Sequence, residues 1–209
     1  MKIRKVAGII FLIGFIGITY LLLTNNISTF DDFIYKHVSS LRNDFFDFIF
    51  LFATRMGDTI PVIIITMCLL IVFNKEDRYI LGSSMIITLL INQGIKYIIQ
   101  RPRPPIEERL ITQDGYSYPS GHSMMAMCLY GVLIYLVNTK LKNKKLKIFL
   151  TLFLSIVILF IGISRIYVRV HYPSDVLGAY LLTLLILIVN ITVINNHIRG
   201  NMNDKDGNK

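Results

Sequence analysis

Polar and apolar residues alternate along this chain in long blocks. Near-continuous apolar runs cover about 6–23, 59–73, 79–99, 121–137, 148–163 and 175–194, with short polar segments between them. A run of roughly 20 apolar residues crosses about 30 Å of hydrocarbon as an α-helix. In lipid only a helix or a closed barrel satisfies its own backbone. The pattern predicts an all-α integral membrane bundle of about six transmembrane helices. One stretch breaks it. Between Ile27 and Asp58, residues Phe30, Phe33, Ile34, Val38, Leu41, Phe45 and Phe48 recur at helical spacing, with Asp31, Asp32, Lys36, Arg42 and Asp44 between them. This amphipathic, extracytoplasmic segment between the first two spans suits either the headgroup plane or the outer ends of the bundle.

Composition supports the membrane class. The 209 residues are 54% hydrophobic with a mean hydropathy of +0.58, too apolar for a soluble domain of this length. Residues 1–195 are read as one domain and 196–209 as a polar cytoplasmic tail without fixed structure. A formal charge of +9 raises nucleic acid as a partner. The placement of the charges excludes it, because Lys and Arg fall in short loops between apolar runs. With the N-terminus inside, inner segments hold 13 of the 22 Lys and Arg and outer segments hold 9, the Lys-dense Thr139–Lys147 loop making the difference. Both termini are then cytoplasmic. The first run is long for a signal peptide, and no small-residue cleavage site follows it, so it reads as an uncleaved helix. Cys68 and Cys128 lie inside apolar runs and read as core residues.

The polar residues fit for chemistry gather in three clusters, all at the outer face. Lys96 and Arg103 stand seven apart, about two helical turns, with Pro102 and Pro104 ending the helix near Gln100. As isolated cations at a lipid interface they would merely snorkel, which is how Arg101 and Arg109 are read. Pro119-Ser120-Gly121-His122 precedes an apolar run and reads as a helix N-terminus. Its free N–H groups and the missing side chain of Gly121 suit a phosphate, and Ser120 can cap the helix and donate as well. Ser164-Arg165 and His171-Tyr-Pro-Ser-Asp175 close the set. Asp175 is a helix cap or the partner of His171 four residues earlier; in the second role it fixes the imidazole tautomer and frees the other nitrogen as a nucleophile. His37 and His197 have no such neighbours.

Together these residues outline phosphoryl transfer through a covalent histidine. Lys96, Arg103 and Arg165 neutralise the phosphoryl oxygens, and Ser120 with the Gly121 and His122 amides completes the cradle. His171 attacks phosphorus, and His122 protonates the leaving oxygen and then activates water. No metal or other cofactor is expected, the cations standing where a metal would.

Lys-x6-Arg-Pro (Lys96 to Pro104), Pro-Ser-Gly-His (Pro119 to His122) and Ser-Arg-x5-His-x3-Asp (Ser164 to Asp175) resemble, in order, the three signature motifs of the type 2 phosphatidic acid phosphatase (PAP2, lipid phosphate phosphatase) superfamily. The resemblance implies a six-helix membrane bundle and metal-independent dephosphorylation of a lipid phosphate outside the cytoplasm. It makes His171 the nucleophile, His122 the acid and Asp175 the partner of His171, with Lys96, Arg103, Ser120, Gly121 and Arg165 on the phosphate. The superfamily also holds soluble vanadium haloperoxidases, a branch that the spans speak against. The expected substrate is a phospholipid-type monoester such as phosphatidylglycerol phosphate or phosphatidic acid, with undecaprenyl diphosphate as the alternative. From other classes, a transporter would carry its charges at the midplane, and a lipid phosphotransferase would depend on an acceptor.

Overall fold

The computed structural model describes residues 2–206, with side chains for 3–58 and 60–197. They form eight α-helices: α1 (Lys2–Leu23), α2 (Ser28–Ser39), α3 (Asp44–Met56), α4 (Thr59–Val72), α5 (Lys75–Ile99), α6 (Gly121–Lys140), α7 (Lys144–Tyr167) and α8 (Pro173–Asp206). Their ends follow local chemistry. The side chains of Asn43, Asn74, Ser120 and Asn143 accept an N–H three residues on and start α3, α5, α6 and α7. α5 stops where expected, at Gln100, which takes the left-handed conformation (φ 50°) two residues before Pro102. Pro173 opens α8 at the position where a missing N–H costs nothing.

α6 runs through the centre, packed on α5, α7 and α8, while α1 lies along α8. Leu129, Val132 and Leu136 of α6 meet Leu81 of α5, Ile158 and Ile161 of α7, and Leu187 and Ile191 of α8. Outside this core, α1 exposes Ile9, Ile10, Ile13 and Ile16, and α7 exposes Phe149, Leu152, Phe153 and Ile156. Apolar belts of that extent demand a non-aqueous neighbour, here the acyl chains. α7 and α8 approach closely at Gly162. A Cβ added there would stand 1.9 Å from the Tyr180 hydroxyl, which donates to the Ile158 carbonyl at 2.5 Å. Only glycine fits.

Three features refine the sequence reading, one of them choosing between the two placements it left open for the amphipathic segment. Among the described residues, four helices are long and apolar enough to span a membrane: α1, α6, α7 and α8. The expected six is not reached by that measure. α4 has 14 residues, about 21 Å of helix, and reaches span length only together with α3, across a 48° bend. α5 has the length, 25 residues, but opens on Lys75-Glu-Asp-Arg78 and carries Asn92 and Lys96 further on. The amphipathic segment is two helices, α2 and α3, packed on α7 and α8 with Asp31 buried on the protein side. The polar tail continues α8 as helix through Asp206, because a helix already nucleated needs only residues that do not break it; residues 207–209 lie outside the described ones.

Candidate active site

Four chain segments meet beyond the C-terminal ends of α5 and α7 and the N-terminal ends of α6 and α8. Lys96, in the last turn of α5, donates from Nζ to the Tyr116 carbonyl. After Gln100 the chain doubles back, so Arg103 reaches across the loop. Its Nε donates to the Gly115 carbonyl at 2.9 Å, and one terminal nitrogen donates to the Val170 carbonyl at 2.8 Å. That same nitrogen lies 3.1 Å from His171 Nε2.

The Arg103 contact settles the His171 tautomer. A guanidinium only donates, so Nε2 carries the lone pair. Nδ1 carries the hydrogen and donates to Asp175 Oδ2 at 3.2 Å. Asp175 is wholly buried and also accepts the Tyr172 N–H at 2.9 Å. Burial, then the positive charges of Arg103, Arg165 and Lys96, hold the His171 pKa well below its ordinary value. The imidazole is neutral at pH 7. Burial also lowers Arg103, to about 10, which leaves it cationic.

His122, in the first turn of α6, points its Nε2 at Asp58 Oδ1, 2.8 Å away. Asp58 precedes α4 in the usual capping position, yet its side chain caps nothing and pairs with the histidine. Arg165 is completely buried at the end of α7, bonded to the Thr54 hydroxyl and, at 2.9 Å, to Gln113 Oε1. Its Nε has no partner among the described residues.

A cavity of about 430 Å³ joins these parts, lined by Lys96, Arg103, Gly121, His122 and His171, with Gln113 beside them and Val62, Ile63, Leu89 and Met125 towards the helices. The remaining expected residues, Ser120, Arg165 and Asp175, pack behind its wall. Ser120 is buried, caps α6, and gives its N–H to the Asp175 carbonyl at 3.1 Å, tying the second motif to the third. At Gly121 an added Cβ would come within 3.3 Å of Asn92 Oδ1.

Two residues expected to snorkel do not. Arg101 turns inward between Asp31 and Asp175, because two buried carboxylates offer a guanidinium more than water and headgroups do. Arg109 donates to the carbonyls of Pro104 and Gln113 and pins the loop over the site. Asp58, Gln113, Thr54 and Asp31 were absent from the sequence-derived set. Asp58 alone left a signal, as a carboxylate just ahead of an apolar run, and that signal indicates capping. His37 bonds the Phe33 carbonyl far from the cavity.

The electrostatics suit a phosphate: several cations, a helix N-terminus and an oriented imidazole face one volume. A family model described as the PAP2 superfamily matches residues 79–199. Phosphatidylglycerophosphatase B of Bacillus subtilis is 30% identical over 78% of this chain and 82% of that protein. Undecaprenyl-diphosphatase BcrC of the same organism is 28% identical over 72% and 76%. Among solved structures, the transmembrane PAP2-type phosphatidylglycerolphosphate phosphatase from Bacillus subtilis superposes with a TM-score of 0.79, at 26% identity, over 90% of this chain and 96% of that one. Aquifex aeolicus LpxE shares the fold, with a TM-score of 0.64 at 22% identity over 76% and 93%. All three motifs fall inside the matched region and converge on one cavity among membrane helices; the chain belongs to the PAP2 superfamily and is a multi-pass membrane lipid phosphatase.

Proposed function

We propose that the chain hydrolyses a phospholipid-type phosphate monoester, of the phosphatidylglycerol phosphate or phosphatidic acid kind, through a phosphohistidine and without a metal. The observation that carries this is the Arg103–His171–Asp175 chain, which holds a neutral imidazole with its Nε2 lone pair towards a cationic cavity. In the first step that lone pair forms an N–P bond while the bond from phosphorus to the lipid oxygen breaks. The leaving oxygen takes a proton from His122, whose imidazolium Asp58 stabilises. An incoming phosphate draws Arg103 off Nε2 and exposes the nucleophile. Lys96, Arg103 and the amides of Gly121 and His122 hold the phosphoryl oxygens; Arg165 and Ser120 support them from behind the wall. Water then attacks phosphorus, His122 takes its proton, and Nε2 is released. The fixed cations supply the charge that a metal would otherwise bring.

Catalysis at the extracytoplasmic face is supported by α6 and α7. Both have one end at the cavity and the other at the Lys140–Lys147 segment, the most basic in the chain. The substrate choice rests on the phosphatidylglycerophosphatase relatives, and the undecaprenyl-diphosphatase relative favours a diphosphate as the second reading. Purified protein in detergent, given phosphatidylglycerol phosphate, phosphatidic acid and undecaprenyl diphosphate in parallel, should release phosphate fastest from a monoester. Faster turnover of the diphosphate would select the second reading.

A further inference from the structure

Arg101 is 12% exposed and stands between two carboxylates. One terminal nitrogen donates to Asp175 Oδ1 at 2.6 Å and to the Ser174 hydroxyl at 2.8 Å; the other donates to Asp31 Oδ2 at 2.7 Å. The Tyr172 ring covers the guanidinium at 3.9 Å. Asp31 belongs to α2, far from the motifs in sequence, yet its side chain is 2% exposed. Its Oδ1 accepts the Ser174 N–H and its Oδ2 the Ser174 hydroxyl, both at 2.8 Å. Asp31, Arg101, Asp175 and His171 form one continuous chain of hydrogen bonds, in which anion, cation and anion alternate and the last holds the neutral imidazole.

A carboxylate in full burial stays ionised only beside a bonded cation. Among the described residues, Arg101 is the cation bonded to Asp175. It occupies Oδ1 and leaves Oδ2 for His171 Nδ1 and the Tyr172 N–H. The carboxylate plane, and through it the imidazole, is therefore set from the side opposite the cavity. Arg101 does not line the cavity. Asp31 fixes the other half of the guanidinium and anchors α2 to the first turn of α8.

We propose that Arg101 and Asp31 are positioning residues of the His171–Asp175 pair, which makes the docked helix α2 a working part of the site. The inference rests on the phosphatase reading above and assigns neither residue to the phosphate. Besides Arg101 and Asp175, the charged groups facing His171 are Lys96 from α5, Arg103 from the loop, His122 from α6 and Arg165 from α7. Removing Arg101 leaves the buried Asp175 carboxylate without its bonded cation, so Asp175 takes a proton more readily and no longer holds the His171 Nδ1–H.

The test is steady-state hydrolysis of the best lipid substrate by Arg101→Gln, Arg101→Lys, Asp31→Asn and the Arg101→Gln/Asp31→Asn pair. Arg101→Gln should lower kcat about 10- to 100-fold, as loss of an orienting partner does elsewhere, with KM within about twofold. The acid limb of its rate profile should move to higher pH. Arg101→Lys should regain part of kcat and restore that limb. Asp31→Asn should lower kcat, and should cost little more when Arg101 is already gone. Wild-type kcat in Asp31→Asn, an unmoved acid limb in Arg101→Gln, or additive losses in the pair would overturn the inference. Should Arg101→Gln not fold, Asp31→Asn and Arg101→Lys carry the decision alone. Wild-type protein inert towards every lipid phosphate would overturn the phosphatase reading and this inference with it, whereas active wild type with unaffected variants overturns this inference only.

Discussion

Replacing Asp58 with Asn tests the assignment of His122 as the acid. Asp58 Oδ1 lies 2.8 Å from His122 Nε2, and its side chain is 50% exposed. Asn keeps an acceptor of the same shape and removes the charge. A hydrogen bond to a charged group is worth about 1.5–3 kcal/mol and a neutral one about 0.5–1.5 kcal/mol. The difference, about 1–1.5 kcal/mol, is discounted for half exposure to about 1 kcal/mol. At about 1.4 kcal/mol per factor of ten, that cuts the fraction of His122 holding the proton it must donate, and with it the rate, about fivefold. The dependence on the leaving group makes the effect specific. A lipid alkoxide needs the proton to depart; a nitrophenolate does not. Asp58→Asn should therefore slow release of phosphate from the lipid monoester about fivefold and leave an aryl phosphate with a good leaving group within about twofold. Equal losses on both substrates would refute the pairing as a device for acid catalysis and reduce Asp58 to an architectural role. No loss on either would refute it too.

Three further outcomes are expected. His171→Ala should lower kcat at least about a thousandfold while the protein remains folded and membrane-inserted; substantial residual turnover would end the covalent role. Activity should persist in EDTA and fall with vanadate, which adopts the shape of pentacoordinate phosphorus; abolition by EDTA would contradict a site built on fixed cations alone. Because folding holds the His171 pKa below its ordinary value, only the unfolded chain binds that proton as pH falls below about 6.5. The contribution of His171 to stability is thus complete above pH 6.5 and declines at up to about 1.4 kcal/mol per pH unit below it. Melting in detergent between pH 7.5 and 5 should give wild type a steeper loss of Tm than His171→Gln, and equal slopes would count against a buried neutral imidazole.

The elements of the site that sequence reveals are those whose meaning is local. Lys96 and Arg103 stand two turns apart, His171 and Asp175 stand four apart across a helix start, and Ser120-Gly121-His122 opens an apolar run. The last two spacings state their geometry without the rest of the chain, Arg103 arrives by the reversal that Pro102 and Pro104 announce, and the cavity brings Lys96, Arg103, Gly121, His122 and His171 together. Partners that meet only in three dimensions leave no such trace. Arg101 looks like a loop cation because Asp31, 70 positions away, looks like the polar face of an amphipathic helix. The charge of each was legible and the pairing was not. Asp58 was hidden differently, since a carboxylate ahead of a helix has an ordinary reading that needs no histidine. The count of six spans is not confirmed, for a related reason. Hydropathy reports how apolar a stretch is, and α5 carries Asn92 and Lys96 because it walls the site.

The contact at Gly162 has a consequence for how such a protein diversifies. With Tyr180 and Val176 of α8 seated on the bare backbone of α7, any side chain at position 162 would push the two helices apart and disturb the spacing of Arg165 and Asp175 at their ends. The opposite side of the cavity is built of Val62, Ile63, Leu89 and Met125, residues exchangeable one methylene at a time. A lineage can thus retailor the seat of the lipid tail while the anvil on which the phosphate is struck keeps its dimensions.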